Sequence, residues 1–243
     1  MNPRFVHETA TVGENCKMGF NVVIHANAVL GNNVEIGDNV VICEGTRIGD
    51  STIIGPCSVL GRQPASNRRM KRKPIPMPPL ELGSAMTIGA GVVLSAGSSF
   101  AKGVFIGDLA TVREQVSVGQ DSVIGRNVIV ELKTDIGKRV VLQSGCYITG
   151  DTVIEDDVFV GPEVSTSNDK YMGLKPFPYR GPHIEAFARV GNNATLLPGV
   201  RIGAKSVVGA GSVVTKNVIT GDVVAGVPAR SILGKYQDDQ AKN

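Results

Sequence analysis

The feature that most constrains this chain is a six-residue period of large apolar residues. From residue 88 to residue 160, every sixth position carries one: Ile88, Leu94, Phe100, Ile106, Val112, Val118, Ile124, Val130, Ile136, Leu142, Ile148, Ile154 and Val160. The residues two positions earlier are mostly small or β-branched, for example Val92, Ala110 and Ser122. Neither the 3.6-residue period of a helix nor the alternation of an isolated strand gives this spacing. The period predicts short strands separated by corners, and three such units close one coil of a triangular prism.

The same period extends towards both ends of the chain. It holds from Val6 to Leu60 and again from Val190 to Val214, which gives 28 units in all. We therefore expect an all-β fold, a parallel β-helix of about nine coils, roughly 43 Å long at about 4.8 Å per coil. Glycine often follows the large residue, as at Gly107 and Gly125. We expect these glycines, helped by Asn and Asp, to supply the unusual backbone angles of the corners.

Two interruptions divide what is predicted to be one continuous domain. The coils of residues 1–60, 86–165 and 188–226 alternate with a loop at 61–85 and a second loop at 166–187, and residues 227–243 form a C-terminal cap and tail. The first loop contains five prolines and the basic run from Arg68 to Lys73, a composition that excludes helix and central strand. It is either a solvated excursion or a basic arm that meets an anionic ligand or a neighbouring subunit. The segment from Arg230 to Asn243 is expected to cap the last coil with a short helix.

Composition excludes several classes of protein. No stretch approaches 18 apolar residues and no secretory signal is visible, and a net charge of +3 gives no argument for nucleic acid. Cys16 and Cys146 fall at inward positions, Cys43 and Cys57 lie at or near corners, and no CxxC pair occurs. We expect a cytoplasmic protein without metal, disulfide, membrane or nucleic-acid partners.

One corner of the predicted prism carries polar side chains where glycine is usual. Because a coil has 18 residues, Ser95, Arg113, Glu131 and Thr149 should stack in four successive coils, with Glu114 beside Arg113. This column is either a surface ladder of ion pairs or the wall of a polar pocket whose carboxylate accepts a proton. Asp108 falls at a different corner, so within one chain it should lie far from Glu131.

Histidine does not form an evident catalytic or metal group. His7 and His25 stack one coil apart near the N-terminus, and their role is expected to be structural. His183 follows at the return of the second loop, about 160 residues away, so the zinc site of a β-helical carbonic anhydrase is rejected.

The last coils carry the most specific resemblance. The stretches Ala194 to Gly203, Val208 to Lys216 and Ala225 to Arg230 resemble the C-terminal coils of hexapeptide-repeat acyltransferases. Ile154 to Pro162, followed by Ser167-Asn168-Asp169, resembles the branch that acylates amino groups of nucleotide-linked amino sugars. The resemblance covers roughly residues 86–235. It implies a left-handed β-helix, a homotrimer, and acetyl-coenzyme A or another acyl-coenzyme A bound in the groove between subunits.

The resemblance also implies site residues. Lys205, Lys216 and Arg230 would meet the phosphates of coenzyme A, and backbone groups near Gly203 and Ala210 would hold its pantetheine arm. The middle coils lack the histidine of many relatives, so the proton acceptor is open.

From the residues themselves, Glu131 is the first candidate for the proton acceptor and Asp108 the second. Arg113, Glu114, Asn168 and Asp169 are candidate substrate contacts. Two alternatives remain: an O-acyltransferase acting on a sugar or lipid-precursor hydroxyl, which would favour a histidine base, and a non-catalytic scaffold. The sequence does not give the acyl chain, the nucleotide, the sugar or the acylated carbon.

Overall fold

The computed structural model describes residues 4–233 as a three-sided prism of short parallel strands. Its three sheets are called A, B and C, and the strands are numbered in chain order. Sheet A holds β1 Phe5–Val6, β4 Val23–Ile24, β7 Val41–Ile42, β10 Val59–Arg62, β13 Val93–Ser95, β16 Thr111–Val112, β19 Ile129–Val130, β22 Tyr147–Ile148, β25 Ser165–Thr166, β28 Thr195–Leu196 and β31 Val213–Val214. Sheet B holds β2 Thr11–Val12, β5 Val29–Leu30, β8 Arg47–Ile48, β11 Glu81–Leu82, β14 Ser99–Phe100, β17 Ser117–Val118, β20 Asp135–Ile136, β23 Val153–Ile154, β26 His183–Ile184 and β29 Arg201–Ile202. Sheet C holds β3 Lys17–Met18, β6 Glu35–Ile36, β9 Ile53–Ile54, β12 Thr87–Ile88, β15 Phe105–Ile106, β18 Val123–Ile124, β21 Val141–Leu142, β24 Phe159–Val160, β27 Arg189–Val190, β30 Val207–Val208, β32 Val223–Ala225 and β33 Arg230–Ser231.

The all-β parallel coil predicted from the six-residue period is confirmed. Away from the loops, successive coils pair in register at a spacing of 18 residues, for example Val112 with Val130 and Val130 with Ile148. The second residue of most strands points inward and is buried, and these side chains fill the prism as ladders of like residues. Buried hydroxyls at the small position are satisfied by the backbone, as where Ser122 Oγ donates to Gly137 O at 2.8 Å.

The prism is longer than the nine predicted coils, because the sheets hold 11, 10 and 12 strands. The additional strands are β11, β25, β26, β32 and β33, which flank the loops or follow Thr215. Two of these strands break the pattern: in β25, Thr166 is polar at the large position, and before β26, Pro182 stands two residues ahead of Ile184. Neighbouring coils nevertheless pair with β25 and β26, so these two strands form where the local sequence does not predict them.

The predicted helical cap within residues 230–243 is not confirmed, because the first residues of that segment are extended. Arg230–Ser231 form an antiparallel strand against β32, with Val224 opposite Ser231. The rest of that prediction, beyond Leu233, lies outside the described residues. Among residues 4–233 there is no helix with the length and apolarity that a membrane crossing requires.

The corner glycines serve a purpose other than the predicted one. Gly107 and Gly125 do not have positive φ; the left-handed residues lie two positions later, at Leu109 with φ 60° and Asn127 with φ 54°. A Cβ added to Gly125 would lie 2.8 Å from the backbone carbon of Gln143 in the next coil. Glycine is therefore required there because the coils approach closely.

One of the three corners of the prism does not require glycine. In sheet A, the residue directly after the inward large residue carries a side chain except at Gly61, whereas glycine predominates at this position in sheets B and C. Both long excursions leave the prism at this corner: loop 1, residues 63–80, lies between β10 and β11, and loop 2, residues 167–182, between β25 and β26. We call it the loop corner. Four coils of the loop corner, at Ser95, Arg113, Glu131 and Thr149, lie between the two loops.

Candidate active site

A charged cluster occupies the middle of the loop corner. Arg113 donates to both oxygens of Glu114, at 2.8 and 3.2 Å, and its Nη1 donates to Glu131 Oε2 at 3.0 Å. Burial opposes the charge of Arg113, but the bonds to Glu114 and the attraction of both carboxylates outweigh it and raise the pKa of the guanidinium. The structure therefore brings together three of the predicted site residues.

The two carboxylates of this cluster differ in their access to solvent. The Glu114 side chain is 3% exposed and accepts two bonds from Arg113, while the Glu131 side chain is 22% exposed and meets Arg113 through one oxygen. Burial, followed by the charge of Glu131, raises the pKa of Tyr147, the residue next to Ile129 in sheet A. Glu131 is thus the carboxylate of this pair that a ligand can reach.

The two loops meet above this cluster. Arg72 of loop 1 forms an ion pair with Asp151, 2.6 Å from Nη2 to Oδ2, and its guanidinium carbon lies 4.4 Å from the centre of the Tyr179 ring of loop 2. Asn168 donates to Gly150 O at 3.1 Å and to Asp151 Oδ2 at 3.3 Å. Loop 1 consequently spans the loop corner rather than extending into solvent.

Three recesses surround the cluster beneath loop 1. One, of about 240 Å³, is lined by Met70, Lys71, Arg72, Arg113, Leu132, Asn168 and Tyr179. Another of about 240 Å³ lies between the start of loop 1 and Arg113, and one of about 320 Å³ lies between Arg72 and Lys133. A larger recess of about 530 Å³, lined in part by His25, Cys43 and Arg62, lies on the N-terminal side of loop 1.

Two further candidate site residues, Asp169 of loop 2 and Asp108, make hydrogen bonds to the backbone that stabilise the local structure. Asp169 accepts bonds from Tyr171 N and Gly173 N, at 3.0 and 2.9 Å, and so holds the turn of loop 2. Asp108 lies at the corner between sheets C and A, away from Glu131 as its register predicts, and accepts a bond from Ala90 N at 2.9 Å. Asp38 and Asp156 make the same contact elsewhere in the prism.

The predicted coenzyme A residues lie on different sides of the last coils. Lys205 stands at the corner between sheets B and C, Lys216 at the loop corner, and Arg230 in β33 of sheet C; all three are accessible to solvent. At Gly203 the backbone N–H donates to Val218 O and the carbonyl accepts from Ser206, so both groups are already bonded. One chain does not gather these residues into a single site.

Sequence reasoning did not single out Arg72 or Tyr179 individually, nor the pair His183–Glu155. In the sequence, Arg72 is one of several basic residues in loop 1 and nothing distinguishes it from the others. The position of Tyr179 in loop 2 gives no indication of a functional role. His183 Nε2 lies 2.7 Å from Glu155 Oε1, on the side of sheet B. The pairing joins residues 28 apart, a separation that loop 2 makes irregular.

Comparison with known proteins agrees with the repeats. Residues 27–62 and 181–216 match the family described as bacterial transferase hexapeptide (six repeats), and residues 115–150 match the hexapeptide repeat of succinyl-transferase. The 2,3,4,5-tetrahydropyridine-2,6-dicarboxylate N-acetyltransferase of Clostridium perfringens strain 13 is 50% identical over 60 residues, which is 25% of this chain and 25% of that protein. The chain thus spans about a quarter of the length of the curated relatives it matches.

Among solved structures, the Arabidopsis UDP-N-acetylglucosamine acyltransferase superposes with a TM-score of 0.65 at 15% identity, covering 97% of this chain and 75% of that one. The Bacteroides fragilis UDP-N-acetylglucosamine acyltransferase gives 0.50 at 18% identity, covering 97% and 76%. At these identities the likeness is one of fold.

Proposed function

Because this chain is a hexapeptide-repeat protein, we propose that it is an acyl-coenzyme A-dependent N-acyltransferase that acts on the amino group of a nucleotide-linked amino sugar. The observation that carries this proposal is the loop corner. There an accessible carboxylate, Glu131, is paired with Arg113, and Arg113 lines a recess between the prism and the two long loops. The N-acetyltransferase relatives support transfer to nitrogen.

The proposed reaction requires little from the protein beyond alignment and a proton acceptor. The neutral amine nitrogen attacks the thioester carbonyl, the new C–N bond forms, the C–S bond breaks, and coenzyme A leaves as the thiolate. The nitrogen loses one proton, which Glu131 accepts through the oxygen that Arg113 does not engage. Positioning of the two substrates supplies much of the rate.

The proposed assembly is a homotrimer in which acyl-coenzyme A lies in the groove between neighbouring prisms. This accounts for the separation of Lys205, Lys216 and Arg230 within one chain, since a groove between subunits can draw its cations from two of them. Asn168, which lines the recess beneath loop 1, would contact the sugar substrate, and Asp169 would act by shaping loop 2.

A second candidate, O-acyl transfer to a sugar or lipid-precursor hydroxyl, is favoured by the His183–Glu155 pair at 2.7 Å. A hydroxyl needs a stronger base than an amine, and a histidine oriented by a carboxylate is such a base. Replacing His183 with Gln separates the two candidates: N-acyl transfer should persist, and O-acyl transfer should be lost.

Ligand-induced stabilisation tests the main proposal directly. Coenzyme A and a uridine- or deoxythymidine-diphosphate amino sugar should each raise the Tm, because each binds the folded protein. Acetyl-coenzyme A with the amino sugar should then release free thiol in step with N-acetylated product. Absence of a Tm shift with either ligand would favour the non-catalytic scaffold.

A further inference from the structure

Arg72 is held in place by contacts from the opposite loop and the prism. Its Nη2 donates to Asp151, and its guanidinium carbon lies over the ring of Tyr179. A planar guanidinium fixed by a carboxylate and an aromatic ring has little freedom left, and its remaining N–H groups point in set directions. The residue is therefore preorganised to bind something further.

One of those groups is left unused. Arg72 Nη1 is buried and has no hydrogen-bond partner among the described residues, the one buried side-chain nitrogen or oxygen there in this condition. A buried charged donor without an acceptor is costly, and native structures rarely keep one without a ligand, an ion or a water to satisfy it. An oxygen atom is thus expected beside Nη1.

The surrounding cavity favours an anionic oxygen. Arg72, Lys71 and Arg113 line the recess of about 240 Å³ together with Asn168 and Tyr179, and no carboxylate is among its lining residues. The carboxylates nearby are turned towards their partners: Asp151 to Arg72, and Glu114 and Glu131 to Arg113. Lys71 forms no ion pair within the described part of the chain.

We propose that this cavity, closed by loop 1 against loop 2, is a diphosphate subsite in which Arg72, Lys71 and Arg113 bind the diphosphate of the nucleotide-linked substrate. Lys71, together with the N–H groups of Arg72 and Arg113 that their carboxylate partners leave free, suits a group with several anionic oxygens, and guanidinium groups match phosphate geometry. The assignment of the diphosphate to the sugar nucleotide rests on the proposed function. Coenzyme A also carries a diphosphate, so the test must distinguish the two sources.

The test compares Arg72→Gln with Arg68→Gln, which removes the same charge from an exposed position of the same loop outside the cavity. Calorimetric titrations use uridine diphosphate, deoxythymidine diphosphate, inorganic pyrophosphate and coenzyme A. Loss of one charge-assisted bond should weaken both nucleoside diphosphates and pyrophosphate by about ten- to a hundredfold in Arg72→Gln. Arg68→Gln should change them less than about twofold, and coenzyme A should bind equally well to both.

Three results would overturn the proposal. Equal losses in the two variants would mean that loop 1 attracts anions only through its overall charge. A loss confined to coenzyme A would assign the diphosphate to the acyl donor. Undiminished binding of the nucleoside diphosphates to Arg72→Gln would remove the subsite altogether.

Lys71→Gln is a second test variant in case Arg72→Gln disturbs folding. Lys71 lines the same cavity but, unlike Arg72, forms no ion pair between loop 1 and the prism within residues 4–233, so its replacement should not loosen the loop. It should also weaken nucleoside diphosphates, and its failure to do so would count against the subsite. These titrations involve no acyl transfer. A protein that binds diphosphate at Arg72 but acylates no amino sugar would therefore retain the subsite and lose the proposed function.

Discussion

At the scale of single residues, Arg113 divides two carboxylates into different roles. Glu114 is almost fully buried and bonded through both oxygens, so its charge is committed to Arg113. Removing one member of a buried pair leaves the other charge uncompensated and is typically costly by about 3–5 kcal/mol. Glu131 shares the same cation but keeps one oxygen free of it, and for this reason we propose it as the member that exchanges a proton with a ligand.

Glu131→Gln should lower kcat by about 10²–10⁴-fold and leave both KM values nearly unchanged, because the amide keeps the shape and loses the proton acceptor. Steady-state kinetics with each substrate varied in turn measures this. Asp135→Asn is the matched control, since it removes a carboxylate from the same region of the prism on sheet B.

A loss of less than about tenfold in Glu131→Gln, with a larger loss in Asp108→Asn, would transfer the role to Asp108. Because an asparagine oxygen can accept the bond from Ala90 N, as Asn32 does from Glu14 N, we expect Asp108→Asn instead to change both stability and rate little. If neither change matters, the leaving thiolate or water takes the proton.

At the scale of elements, the strands were predictable wherever their own residues carried the period, and the corner column of Arg113 and Glu131 followed from the 18-residue coil. Strands such as Ser165–Thr166 were not predictable, because neighbouring coils impose them on residues without the pattern. The meeting of Arg72 with Tyr179 was also beyond the sequence. A loop's direction depends on contacts between residues far apart in the chain, here 72 and 179, and no local pattern encodes them.

Thiol accessibility tests the inward and outward assignments of the coil. Cys146 is buried, its Sγ donates to Gly161 O at 3.0 Å, and burial raises its pKa to about 11, whereas Cys57 is exposed at a turn. At pH 8, a thiol of such pKa is about one part in a thousand thiolate, so Cys146 should resist alkylation and Cys57 should react. Mass spectrometry after iodoacetamide treatment measures both. Equal labelling of the two cysteines in folded protein would mean that the small inward position is misassigned. As a control, both cysteines should be labelled when the protein is unfolded in urea.

At the scale of the whole molecule, the three faces of the prism differ in polarity. The outward residues of sheet A include Val23, Val41, Val59, Val93 and Ile129, and those of sheet C include Ile53, Phe105, Val123, Val141 and Phe159. Sheet B instead presents Arg47, Glu81, Ser99, Ser117, Asp135, His183 and Arg201. Contiguous apolar surface of this kind marks an interaction site. We expect sheets A and C to face neighbouring copies and sheet B to face solvent.

Light scattering at micromolar concentration should therefore give about three times the 25.5 kDa chain mass. Phe105→Asp places a charge on sheet C, where the side chain is 44% exposed, and should dissociate the trimer. Ser99→Asp adds the same charge to sheet B and should leave it intact. A wild-type mass near that of one chain would contradict the trimer, and equal effects of the two changes would place the contact on another face.

Coenzyme A binding should depend on this assembly, because the predicted cations lie on different sides of one chain's last coils. Lys216→Ala and Arg230→Ala should each raise the KM for acyl-coenzyme A by about ten- to a hundredfold and leave the sugar nucleotide's KM nearly unchanged, as expected for loss of one phosphate contact. Lys138→Ala, which removes an exposed lysine from the middle coils, is the matched control. The dissociated Phe105→Asp protein should lose coenzyme A affinity while it keeps the diphosphate affinity of the Arg72 cavity, which one chain forms by itself. Coenzyme A binding that survived dissociation would place the acyl donor on a single prism, and a normal KM in both cation variants would move its site away from the last coils.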